Sequence, residues 1–261
     1  MQLPIYIKNI LYIVGICIIS FPFLLINYLQ INATDYNNDI NINFNIFDYL
    51  YSISPIIIAF ILIIPVIVLD KIQKTKMLYS IGLNYDRFAL RDIGIGILAA
   101  AISVFVASII INSQNNYINV DINKQLQFFT IINIFCIVLS EELFFRGYIF
   151  QNIYRKNNSI TAVFISSLMF AFAHFIGNGF DIVYFLNTFI AGILFCIMYI
   201  KTKSLWISIS FHFSWNLILY LFNNYLIEFD YICSIILLIL IFVSVKFLKP
   251  SYKINKYHLI N

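Results

Sequence analysis

Eight stretches of about twenty mostly apolar residues constrain this chain more than any other feature. They cover about 9–29, 47–69, 93–112, 126–146, 160–176, 182–200, 204–222 and 230–248, each the length a helix needs to cross a bilayer. Composition agrees. The chain is 62% hydrophobic and 11% charged, with a mean hydropathy of +0.90, whereas a soluble domain carries roughly 45–50% apolar and about 25% charged residues. So little charge cannot cover a water-facing surface. That excludes an ordinary soluble enzyme, a disordered chain and a nucleic-acid binder. The expected fold is all-α: one polytopic membrane domain spanning residues 1–261, with about eight transmembrane helices.

The basic residues orient those helices. With the N-terminus in the cytoplasm, the inner segments are Lys8, Lys71 to Arg91, Arg146 to Lys156, Lys201 with Lys203, and Lys246 to Lys256. They hold fifteen of the 16 Lys and Arg, leaving Lys124 outside, as the positive-inside rule asks. The outer loops carry Asp35, Asp39, Asp121, Asp181, Glu228 and Asp230. Both termini are therefore expected in the cytoplasm. An odd number of spans would scramble the alternation.

The first apolar run is read as a retained helix, because it exceeds the 7–15 residues of a signal-peptide core. Residues 70–92 read as an amphipathic interfacial piece leading into the third span. Cys17, Cys136, Cys196 and Cys233 lie in apolar runs without CxxC spacing, and read as small buried hydrophobes. Lys246, Lys249, Lys253 and Lys256 form a basic tail suited to anionic lipids of the inner leaflet.

Ionisable groups inside a bilayer are costly and default to a functional reading. Here they fall on three spans. The fourth span ends Ser140-Glu141-Glu142-Leu143-Phe144-Phe145-Arg146, the fifth carries Phe170-Ala171-Phe172-Ala173-His174, and the seventh carries His212-Phe213-Ser214-Trp215-Asn216. Glu142 and Arg146 stand four apart and can pair on one helix face. Glu141 lies about 100° round the helix, away from that partner. His212 and Asn216 are also i, i+4, so both can point at one spot. Glu141 and His174 lie equally far from an expected turn at Asn157-Asn158, which permits a Glu–His contact in an antiparallel hairpin. Taken singly, each group has a plain explanation: Arg146 as a snorkelling inner-end charge, a lone histidine as a packing residue, the glutamates as a clasp. Three groups on three spans point to one shared site.

In this order and on separate spans, Glu141-Glu142-x-x-x-Arg146, Phe170-x-x-x-His174 and His212-x-x-x-Asn216 resemble the CPBP family of intramembrane proteases. This is the CAAX-protease and bacteriocin-processing group, also called Abi or Rce1-like. The motif core covers about residues 126–222. The resemblance implies peptide-bond hydrolysis in the membrane at a site open toward the cytoplasm. It assigns Glu141 as the catalytic glutamate, His174 as its helper in activating water, and His212 with Asn216 as the oxyanion pair. Glu142 and Arg146 would orient the site. These roles suit the chemistry, because a poorly solvated carboxylate is a stronger base and a His–Asn pair can donate to an oxyanion.

A metal-free glutamate mechanism is preferred, so no cofactor is expected; were zinc used, Glu141, His174 and His212 would be its ligands. The expected partners are a peptide or lipidated protein substrate and membrane lipids, with no nucleic acid. The substrate would be a prenylated CAAX terminus, or a leader or bacteriocin-like peptide, reaching the inner face of a prokaryotic plasma membrane. The rival readings are a non-catalytic membrane scaffold or bacteriocin self-immunity protein, and an ion-coupled carrier, which the lack of internal repeats disfavours.

Overall fold

The computed structural model describes residues 82–83, 87–113, 128–155, 157–178, 181–221 and 227–250, together with Ile57, Phe60, Ile63, Ile64, Ile67 and Val68. Among the described residues every regular element is a helix. In chain order these are α1 (Arg87–Ser113), α2 (Phe128–Glu142), a π-helical segment (Leu143–Phe150), α3 (Gln151–Tyr154), α4 (Ser159–Asn178), α5 (Ile182–Thr202), α6 (Trp206–Leu221) and α7 (Ile227–Phe247). Expected spans three to eight therefore each have a helix. The first expected span and both chain ends lie outside the described residues, as does most of the second. The six positions described in the second are helical.

Apolar side chains cover the outside of the bundle as well as filling its core, and the buried polar groups are gathered inside. Leu98, Ile102 and Phe105 of α1 and Ile235, Leu238 and Phe242 of α7 are exposed, whereas Glu142, Arg146, His212 and a set of serines are buried. A water-soluble bundle shows the opposite distribution. Phe88–Ile111 and Ile182–Thr202 are long and apolar enough to cross a membrane. Several buried hydroxyls bond within their own helices: Ser103 Oγ donates to the Ala99 carbonyl at 2.6 Å and Thr202 Oγ1 to that of Met198 at 2.8 Å. Lipid offers no hydrogen-bond partner, so such local satisfaction is what membrane depth demands.

Small residues set the closest approaches, as where helices pack without a hydrophobic drive. A Cβ on Gly96 would clash with Ser210 Oγ and stand 2.7 Å from the Ile207 carbonyl, so α1 lies backbone-to-backbone on α6. Gly192 packs likewise on Ser167, joining α5 to α4. Gly82 has a φ of +75° and sits against the Lys203 carbonyl, while its own carbonyl accepts from Leu205 N–H at 3.3 Å. This contact ties the segment before α1 to the α5–α6 connection.

The fourth span departs from its expected limits. Its helix runs on past residue 146 to Tyr154, eight residues longer, because the segment Leu143–Phe150 is wholly buried and takes π geometry. Tertiary contacts hold the wider turns. Ser166 Oγ of α4 donates to the Phe145 carbonyl at 3.0 Å, satisfying an acceptor in a segment whose own bonding differs from that of an α-helix. The Asn157-Asn158 turn is present, with Asn158 Oδ1 accepting from Thr161 N–H at 2.8 Å as the cap of α4. Cys196 and Cys233 are buried as expected, Cys136 is half-buried, and none of the three forms a disulfide among the described residues.

Candidate active site

The site forms where α2 passes into the π segment between α4 and α6. π turns inside longer helices recur at functional sites, and this one begins directly after the two glutamates.

Glu142 organises the buried half. Its Oε1 accepts from Arg146 Nη1 at 2.9 Å and from His212 Nδ1 at 3.1 Å. Both carboxylate and guanidinium are 0% exposed. Arg146 therefore does not snorkel. Its guanidinium lies 4.2 Å from the Phe170 ring and 4.8 Å from the Phe195 ring, and Nη2 points at the Gly192 carbonyl at 3.5 Å. Aromatic faces attract a desolvated cation, which explains how this charge is held in the core rather than at the membrane edge.

Glu141 faces the other way, as its 100° offset predicts, and meets both intramembrane histidines. His174 Nε2 lies 3.8 Å from Glu141 Oε1, and His212 Nε2 lies 3.7 Å from Oε2. Equal distance from the Asn157-Asn158 turn has thus brought Glu141 and His174 together. The other nitrogen of each ring is engaged. His174 Nδ1 donates to the Phe170 carbonyl at 2.9 Å, and an ionised Glu142 requires a proton on His212 Nδ1. The acceptors therefore set both tautomers. Neutral rings turn unprotonated Nε2 atoms toward Glu141, whose Oε2 is buried without a hydrogen-bond partner. Phe195 stacks on His212 with centroids 4.9 Å apart, fixing the ring plane.

His174, His212 and Asn216 line a common cavity of about 150 Å³ with Phe170, Phe195 and Trp215 among its walls. The i, i+4 spacing of His212 and Asn216 has brought both to one space. A carboxylate with two bare imidazole nitrogens is chemistry that suits zinc. The imidazoles approach different carboxylate oxygens, however, and among the described residues no three His, Cys, Asp or Glu gather as a metal site.

Two contacts were not visible in the sequence. The Glu142–His212 bond joins residues 70 apart, and no local spacing signals it. The aromatic cage of Arg146 draws Phe170 and Phe195 from separate helices. Phe170 did stand in the second motif, four before His174, and that was its only signal.

Residues 123–218 match the family described as "Type II CAAX prenyl endopeptidase Rce1-like". A Bacillus subtilis (strain 168) protein named "Putative membrane peptidase YdiL" is 29% identical over 119 residues, 46% of this chain and 47% of that protein. The match thus spans about half the length of that relative. No solved structure matches the chain. These likenesses bear out the resemblance read from the three motifs, and with the apolar helices they mark a membrane protein.

Proposed function

We propose, on the premise that the motif core is that of the CPBP, Rce1-like family, that this chain is an intramembrane endopeptidase whose base is Glu141. The observation that carries the reading is the convergence of His174 and His212 on Glu141 at 3.8 and 3.7 Å, beside a cavity that also holds Asn216. Those separations exceed a hydrogen bond but let one water sit about 2.8 Å from both Glu141 Oε1 and His174 Nε2. The water gives a proton to Glu141 as its oxygen attacks the scissile carbonyl carbon, with the bare His174 Nε2 accepting from its second hydrogen. The same proton then passes to the leaving nitrogen as the C–N bond breaks.

The oxyanion is stabilised by the Asn216 amide and by His212. Because His212 Nδ1 bonds to the Glu142 carboxylate, donation from Nε2 requires the imidazolium form. Glu142 supports that charge as a carboxylate supports the histidine of a hydrolytic triad. Glu142 and Arg146 are thus positioning residues. The substrates are peptides or lipidated proteins of the prenylated-terminus or leader-peptide type. The protein is a multi-pass protein of a prokaryotic plasma membrane, with eight spans, both termini cytoplasmic and lipids around its apolar faces.

Membrane proteomes of cells carrying wild type and Glu141→Ala test this reading. Uncleaved peptides are expected to accumulate with the variant, although the folded protein still reaches the membrane. Identical peptide profiles, with cell protection unchanged in Glu141→Ala and His174→Ala, would instead support a non-catalytic scaffold or immunity protein.

A further inference from the structure

Among the described residues, the basic side chains and the candidate cavity lie toward opposite ends of the bundle, which sets the positive-inside expectation against that of a site open toward the cytoplasm. The two ends of the bundle are identified by contacts. At one end the Gly82 carbonyl accepts from Leu205 N–H, Gln151 of α3 bonds to Tyr199 of α5, and Lys203 Nζ lies 5.4 Å from the Tyr154 ring. The start of α1, the start of α4, the end of α5 and the start of α6 therefore lie together there. The opposite end holds the end of α4, the start of α5, the end of α6 and the start of α7. There Ser234 Oγ donates to Asn187 Oδ1 at 2.7 Å.

The charges separate by end. Among the described residues Arg91, Arg155, Lys201, Lys203, Lys246 and Lys249 belong to the first end or continue from it. The second has no Lys or Arg among them, and Asp181 caps α5 there. The cavity occupies the half of the bundle toward this cation-free end. Its lining includes His174 in the last turns of α4, Tyr184 and Asn187 in the first turns of α5, and Asn216 in the last turns of α6, with Cys233 early in α7. Phe195 and His212, also in the lining, lie farther along their helices from that end.

Basic residues near spans mark the cytoplasmic side. A cavity facing the cytoplasm would put Arg91, Arg155, Lys201, Lys203, Lys246 and Lys249 on the other side of the membrane. We propose that the cavity opens toward the extracytoplasmic face. Of the two substrate types proposed above, this side leaves the leader-peptide type, a polypeptide segment already translocated to that face such as the exported part of a leader or membrane protein, and removes a prenylated C-terminus in the cytosol. The substrate class rests on the endopeptidase reading. The side on which the cavity opens does not.

Cysteine accessibility tests it in intact cells, using a background in which the four native cysteines are alanine. Tyr184→Cys reports on the cavity and Lys203→Cys on the opposite end, with a membrane-impermeant maleimide as probe. The expected result is labelling of position 184 without permeabilisation and loss of labelling at 203 until the cells are opened. The reverse pattern overturns the proposal. If these variants fail to accumulate, fusions to the wild-type C-terminus decide the matter: a fluorescent GFP fusion with an inactive alkaline phosphatase fusion is expected, and the opposite pair refutes it. Neither measurement depends on cleavage, so failure of the catalytic reading would show separately, as an unchanged peptide profile in Glu141→Ala.

Discussion

Replacing Arg146 by methionine removes the guanidinium from a site where nothing else neutralises the carboxylate as directly. The side chain is 0% exposed, bonds Glu142 Oε1 at 2.9 Å and lies between the Phe170 and Phe195 rings. Methionine approximates its volume, so the main loss is the charge partner and not packing. Removing one member of a buried ion pair costs about 3–5 kcal/mol, because the other charge stays desolvated and uncompensated. Glu142→Gln in the same chain removes that stranded charge, and the glutamine carbonyl can still accept from His212 Nδ1. The double variant should then recover at least about 2 kcal/mol of the loss, since an apolar or neutral replacement of a whole buried pair is often close to neutral. The assay is reversible unfolding of detergent-solubilised protein on SDS titration, followed by helical circular dichroism. A single variant within about 1 kcal/mol of wild type would refute the reasoning, because that is the scale of an exposed pair. So would a double variant no more stable than Arg146→Met.

Helix packing, the π segment and the carboxylate chemistry each give a further expected outcome. Gly96→Ala should destabilise by about 1–3 kcal/mol in the same titration, because the new Cβ would stand 2.7 Å from the Ile207 carbonyl and 2.9 Å from Phe211 N. An unchanged midpoint would show that α1 and α6 lie farther apart. Ser166→Ala removes the hydroxyl that donates to the Phe145 carbonyl at 3.0 Å, and should cost about 0.5–1.5 kcal/mol for the lost hydrogen bond. Finally, protein treated with a chelator and shown by elemental analysis to be metal-free should keep its peptidase activity. Loss on chelation with rescue by zinc would overturn the metal-free mechanism.

The parts of the site legible in the sequence were those set by short-range helix geometry. The i, i+4 spacing placed Glu142 on Arg146 and His212 beside Asn216, and the 100° step turned Glu141 away from the pair. One longer relation was also readable, because an antiparallel hairpin converts equal distance from Asn157-Asn158 into equal height for Glu141 and His174. What escaped depended on which faces meet. The Glu142–His212 bond needs the rotation of α6 against α2, and no periodicity in Ile-rich spans specifies that. Positive-inside counting treated Arg146 as one more inner charge, whereas its aromatic cage, drawn from α4 and α5, holds it inside the bundle. The π geometry was equally invisible. It reflects the burial of Leu143–Phe150 and a hydroxyl from another helix, while the local sequence is as compatible with ordinary α-helix.

The π segment has a further consequence for how this chain tolerates change in length. Each amide of a π-helix bonds five residues back, where an α-helix bonds four, so a π turn holds about one residue more. A single deletion inside Leu143–Phe150 lets one wide turn tighten to α, leaving α2 and α3 facing as before. The same deletion within α6 would rotate everything beyond it by about 100° and, if placed after His212, carry Asn216 out of the cavity. The segment beside the two glutamates is thus a stored length of chain, able to lose a residue while the directions of Glu141 and Glu142 are kept.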